Sequence, residues 1–429
     1  MRIGFYESDI TPPLGGFLWG HYHDVRATGV MDKLYARAAV IEGEDGTVAA
    51  FVTVDTCALP PMMHDIVTKR IYEYTGIPAE NICITSNHTH WGAPVSDSPE
   101  IGCFADETYR DVFFRLCADA VTLAYQRLAP AEARYGESRA EGISFCRNYH
   151  LSDGTVCTHP PKDPSTIVHR RDADPTVRTI LAYRDGAPVG ALVSFACHQC
   201  CCQTSEYTGD FSSIMSEELK EKYGKDFVAV YLPAAAGDIT HIVGPGFKTA
   251  PDHYRMMGRV LARAVTDSMR DATPIGEGVR TVKESIRMEH RQLSNAEMCA
   301  ELRRLNALGY EMRARNLAYY GAACPETEGD YYLQAIRVGD LCVYTMPGEV
   351  FLQLGQYVTE NSAYKHSILV HNSNSYCGYI PTKESFGEGY DLYETSLCYH
   401  SRLKPEAGEI MTARLLELGE VLRADGKEN

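Results

Sequence analysis

The run Thr85-Ser86-Asn87-His88-Thr89-His90-Trp91-Gly92 places two imidazoles two residues apart, directly after the apolar stretch Ile82-Cys83-Ile84. In an extended strand, side chains at i and i+2 share a face. His88 and His90 are therefore expected to converge at a strand exit, where Gly92 permits a sharp turn. Such a pair can share a metal, or divide into one ligand and one acid/base. A His-x-His is also common in ordinary packing, so its meaning depends on what else could complete a site.

Four further apolar runs end in polar residues, which is where α/β proteins place their sites. Phe195-Ala196-Cys197-His198-Gln199 puts an imidazole at the end of a buried strand. Pro233-Ala234-Ala235-Ala236-Gly237-Asp238-Ile239-Thr240-His241 has small residues that admit close approach, followed by a carboxylate and a hydroxyl. Met346-Pro347-Gly348-Glu349 sets a carboxylate at a strand-to-helix turn, and Asn372 to Tyr379 is polar and aromatic after Ile368-Leu369-Val370. Each has a plain structural explanation: a hydrogen-bonded core histidine, a helix-start Glu349 favoured by the macrodipole, a turn Asp238, a packed Tyr379. Taken together they supply imidazole, carboxylate and hydroxyl groups at strand termini. Nitrogen and oxygen ligands with one open position are what a catalytic zinc requires.

Cys197, Cys200, Cys201 and Cys202 around His198 open a second possibility, a thiol nucleophile using that imidazole as base. Their spacing lacks the two-residue gaps of a structural zinc knuckle, and small buried cysteines are the plainer explanation. Gly244-Pro245-Gly246 lacks the Lys and Ser/Thr of a phosphate loop, and there is no Gly-x-Ser-x-Gly elbow.

The elements that must position these groups alternate. Strands are predicted at 36–41 and 48–54 around a Gly46 hairpin, a helix over about 62–74, the strand before His88, and a helix over about 107–128. Extended segments follow near Ala133, Val177 and Val189, with a buried strand over 192–196, then a helix over 213–222, a strand over 227–232 and a helix over 254–269. Ser294-Asn295-Ala296-Glu297 is a capping box opening a helix that continues to about Tyr319. Strands at 333–338 and 341–346 turn at Gly339-Asp340, and a last helix runs to about Arg423. This predicts an α/β fold, with mixed β-sheets packed in the core and helices outside, formed by residues 1–429 as one domain.

Net charge is −16 with no long basic block, which argues against nucleic acid and anionic membrane surfaces. No segment approaches the roughly 20 apolar residues of a membrane span. The opening Met1-Arg2-Ile3-Gly4-Phe5 lacks a secretory h-region, and the fifteen cysteines are read as reduced thiols, so a cytoplasmic location is expected.

In this order the motifs resemble the N-terminal catalytic domain of the neutral/alkaline, non-lysosomal ceramidase family, and more closely its short bacterial members. The resemblance covers Asp9-Ile10-Thr11-Pro12-Pro13, Asp55, the His88/His90 run, Arg147-Asn148-Tyr149-His150, Phe195 to His198, Gly209-Asp210, Ala235 to Ile239 and Pro347-Gly348-Glu349. It implies one Zn2+ held by His88, His198, Glu349 and Tyr379. His90 would carry protons beside it, and Arg147 and Tyr393 would line the site. Thr240 stands where the family has a serine, and Asp210 and Asp238 would orient rather than ligate. The resemblance further implies hydrolysis of a C–N amide bond. Because the chain ends near the catalytic-domain boundary and shows no lipid-facing segment, a small or polar N-acyl substrate is expected rather than ceramide. Ester or phosphoester hydrolysis on the same metal, and a non-catalytic ligand-binding scaffold, remain open alternatives.

Overall fold

Three sheets carry the architecture, seen in a computed structural model that describes residues 1–21, 23–323 and 326–425. The first orders Ile82–Ser86, Val48–Val54, Tyr35–Glu42, Arg2–Asp9 and Ala129–Pro130. The second orders Val228–Pro233, Ala187–Phe195, Thr176–Arg184, Glu132–Arg139 and Thr273–Pro274. The third orders Val279–Glu289, Glu328–Val338, Leu341–Thr345 and His366–Val370. All three are mixed: most neighbours are antiparallel, but each sheet has one parallel pair at its edge.

Side-chain alternation explains the layering. Along Tyr35–Glu42 and Val48–Val54, Ala39, Ile41, Ala49 and Phe51 face one way. They join Ile180, Leu192 and Val230 of the second sheet and Ile336, Val343 and Ile368 of the third in one buried cluster. The alternate residues Ala38, Val40, Ala50 and Val52 face outward against helices. A two-residue period with both faces apolar is what a sheet covered on both sides needs. Helices Pro61–Thr75 and Glu107–Gln126 cover the first sheet. Asp210–Tyr223 and His253–Ser268 cover the second, and Leu352–Asn361 with Ala407–Asp425 the third.

One predicted helix is two. The Ser294/Glu297 capping box forms as read, but the helix stops at Ala307 and a second runs Glu311–Ala323. Gly309 sits between them at φ +75°, the left-handed conformation in which helices end. Among the described residues no helix is long and apolar enough to cross a membrane. All fourteen described cysteines are free.

The parallel pairs matter for function. Chain leaving the carboxyl ends of Ile82–Ser86, Ala187–Phe195, Val228–Pro233, Leu341–Thr345 and His366–Val370 forms the loops that contain His88, His198, Asp238, Glu349 and Tyr379. The first and third sheets are tied at this edge. Thr85 Oγ1 donates to His371 O (3.0 Å), and Asn374 exchanges hydrogen bonds with Ile84, N–H to O at 2.7 Å and N–H to Oδ1 at 3.0 Å.

Candidate active site

The His88/His90 pair converges, though not through extended backbone. The strand ends at Ser86, and His88 has φ +67°, a left-handed conformation uncommon outside glycine. Neighbouring bonds hold this turn. Asn87 N–H donates to Val54 O and His88 N–H to Thr56 O, each at 3.1 Å. The Asn87 amide also donates to Asp55 Oδ1 (2.8 Å), a carboxylate paired with Arg37 (2.9 Å). The outcome is a His88–His90 Nε2 separation of 3.4 Å. Asp210, Asn372 and Asn374 share the positive-φ conformation; Asp210 opens its helix, and the two asparagines lie on the loop after His366–Val370.

His198 and Glu349 arrive from the other two sheets. Glu349 Oε2 lies 3.0 Å from His198 Nε2 and 3.4 Å from His88 Nε2. Both imidazoles are oriented from behind: His88 Nδ1 donates to Cys57 O (2.6 Å) and His198 Nδ1 to Ile239 O (2.9 Å). A carbonyl can only accept, so each Nδ1 carries the hydrogen and each Nε2 presents a lone pair to the carboxylate. Two lone pairs and an anionic oxygen facing one another leave room for a cation and a reason for one. Bonds of roughly 2.0–2.1 Å to a tetrahedral ion put ligand atoms about 3.4 Å apart, close to the separations found. The donor set therefore fits zinc.

The electrostatics show how strongly these three groups are coupled; a cation at their centre would take the place of the proton that Glu349 otherwise draws onto His88. Burial opposes charge on His88, yet Cys57 and Glu349 outweigh it and hold the imidazole well above its usual pKa. Burial alone would raise Glu349; His88 and His198 instead hold it well below the carboxylate range. His198 is pushed down to about 4 by burial and then by Arg147. Cys57 forms an alternative group with His88 and His90. The Cys57 carbonyl already occupies His88 Nδ1, which favours the group of His88, His198 and Glu349.

The other anticipated residues divide. Tyr379 lines the same cavity as His88 and Glu349, and its hydroxyl accepts from Arg147 Nη2 (3.1 Å). Arg147 also donates to Gly237 O and Glu394 Oε1, both at 2.7 Å. Tyr393 lines the cavity with its hydroxyl 2.7 Å from His400 Nε2. The Thr240 hydroxyl accepts from Ile242 N–H (3.3 Å), and the neighbouring Ile239 carbonyl is the one that steers His198. Asp238 accepts from Leu352 N–H and Asp210 from Cys201 N–H, each at 2.8 Å. Both carboxylates thus brace loops. Trp91 packs behind the histidines and donates to Thr204 O (2.9 Å). Burial pushes the thiols of Cys200, Cys201 and Cys202 up, and both His198 ring nitrogens are engaged, so His198 is not free to serve a thiol as base.

Four participants escape sequence reasoning. Tyr376 donates to Glu349 Oε1 at 2.5 Å, and Glu394 anchors Arg147. His21 and His400 line the cavity. The only available signals are the unused His21-x-His23 pair and the density of tyrosine after residue 375.

The sequence profile described as neutral/alkaline non-lysosomal ceramidase, N-terminal, matches residues 1–314. The chain belongs to this ceramidase family. Membership implies a hydrolase acting on amide bonds. The fold is similar to that of the neutral ceramidase from Pseudomonas aeruginosa (TM-score 0.76, 18% identity, 99% of this chain and 74% of that one). A solved structure described as a ceramidase complexed with C2 is equally similar (TM-score 0.77, 18% identity, 99% and 75%). No curated protein matches the chain. Glu349, Tyr376 and Tyr379 lie beyond the ceramidase profile, where the structural likeness alone carries the comparison.

Proposed function

We propose that this chain is a zinc-dependent amidohydrolase that cleaves the C–N bond of a small or polar N-acyl substrate. The observation that carries this is the meeting of His88, His198 and Glu349, each oriented from behind, with lone pairs facing one point. Tyr379, fixed by Arg147, is the fourth group in the reading. Bound there, zinc supplies Lewis acidity toward an acyl carbonyl and acidifies water.

The chain's own residues provide the rest. Burial, then His88 and His21, hold His90 well below its usual pKa. In this reading neutral His90, its Nε2 3.4 Å from that of His88, takes a proton from the attacking water and returns it to the departing amine nitrogen. Arg147 is bound on three sides, so its role is to position the Tyr379 hydroxyl. The Tyr393–His400 pair forms a second hydrogen-bonding wall. Enclosure by Trp19 and the tyrosines limits water around the reacting bond.

A panel of N-acyl amides, carboxylic esters and phosphate esters, with and without chelator, tests the reading. Amide turnover that chelation abolishes and zinc restores is the expected result. Turnover confined to esters or phosphates, or an inert zinc-loaded protein, contradicts it.

A further inference from the structure

The cavity over the histidines is unevenly charged. Its volume is about 120 Å³. The walls are aromatic at Trp19, Tyr376 and Tyr399, while the rim segment Ser96–Ile101 brings Asp97 and Glu100.

The rim is a built structure. Ser98 and Cys103 exchange backbone hydrogen bonds at 2.7 and 3.1 Å, and Trp19 Nε1 donates to Ser98 Oγ at 3.0 Å. Asp97 Oδ1 is spent on Ala105 N–H (2.9 Å). Glu100 differs. It sits on the one-turn 3₁₀ segment Pro99–Ile101, half-buried, and no cation pairs with it among the described residues. Burial pushes its carboxyl up, the mark of a desolvated acid without a counter-charge. His21 Nε2, also on the cavity, is buried with no hydrogen-bond partner. An unpaired carboxylate, an unsatisfied imidazole nitrogen and electron-rich aromatic faces suit a compact cation with N–H donors.

Resting on the amidohydrolase reading, we propose that the cavity takes small N-acylated amines carrying a second, positively charged nitrogen, and that Glu100 selects them. The acyl carbonyl lies toward the histidines and the charged nitrogen toward the rim.

The experiment compares N-acetyl-1,4-diaminobutane with its neutral isostere N-pentylacetamide, following acetate release by the zinc-loaded protein and by Glu100→Gln. The cationic amide should show a kcat/KM about tenfold or more higher, the range for a hydrogen bond to a charged group. In Glu100→Gln that ratio should fall to near one, the loss residing in KM for the cationic amide. The wild-type ratio tests the idea independently of any variant. Equal rates on the two amides, or a preference surviving in Glu100→Gln, would overturn this inference and leave amide hydrolysis standing. Hydrolysis of neither amide, nor of any other in the panel, would remove both.

Discussion

Tyr376 donates its phenolic hydrogen to Glu349 Oε1 at 2.5 Å, so the two oxygens of that carboxylate have different tasks: one is clamped, the other faces His198 and His88. Burial and then Glu349 hold the phenol's pKa well above its usual value, which keeps it a donor.

Removing this clamp should weaken the metal site without dismantling it. Tyr376→Phe is expected to lower zinc affinity by roughly 10–100-fold, the range for loss of a group that orients a ligand. Tyr379→Phe should lower it further if that phenol is the fourth ligand. Competition with a chromophoric chelator reads both; unchanged affinity in Tyr376→Phe would show that the clamp is incidental.

Gly20 lies against His90, the proton carrier of the proposed reaction. It has φ +104°, and a Cβ there would stand 2.7 Å from His90 Cγ. Gly20→Ala therefore forces the imidazole aside, since the contact is with a ring packed between His21 and Trp91. The expected outcome is a fall in kcat of about 10²-fold, the scale of a lost general base, with zinc content retained. Full activity in Gly20→Ala would remove His90 from the reaction.

The Arg147–Glu394 pair is buried, with Glu394 at 0% exposure. Arg147→Met leaves that carboxylate without its counter-charge and should cost about 3–5 kcal/mol of stability. Arg147→Met with Glu394→Met should recover part of it. Denaturant titration of the single and double variants measures the difference, and additive losses would mean that the two residues act independently.

The sequence exposes this site unevenly, for physical reasons. Ile82-Cys83-Ile84, Leu192 to Ala196 and Leu341 to Met346 read as strands because buried parallel strands are continuous apolar runs. Polar residues after such runs point to loops at one sheet edge, and His88, His198 and Glu349 do meet there. Strand Val279–Glu289 is not legible in that way: Arg280, Lys283, Glu284 and Arg287 break its pattern, and it is specified by pairing along Glu328–Val338. The backbone at His88 is also hidden, since composition does not announce a positive φ at a histidine. Nor can spacing separate Tyr376 from Tyr379; the short parallel pairing of Glu349–Val350 with Tyr379–Ile380 determines which phenol meets which partner.

Asp238 gives the stability a pH signature. Burial pushes its carboxyl from 3.8 up to about 6 in the folded chain. Below about pH 4 both states are protonated, and as pH rises to about 6 the unfolded chain ionises first, so stability is lost across that window. Asp238→Asn keeps an acceptor for Leu352 N–H and removes the loss. Its gain over the natural chain should be at most about 3 kcal/mol at pH 7.5 and near zero at pH 3.5. Denaturation midpoints at the two pH values check this; an equal effect at both would contradict it.

The most direct test is elemental analysis of the purified protein beside His88→Ala, His198→Ala and Glu349→Gln. One zinc per natural chain, lost from all three variants while their circular dichroism is unchanged, is the predicted result. A natural chain that folds fully and binds no zinc on titration, or variants that keep it, would contradict the account.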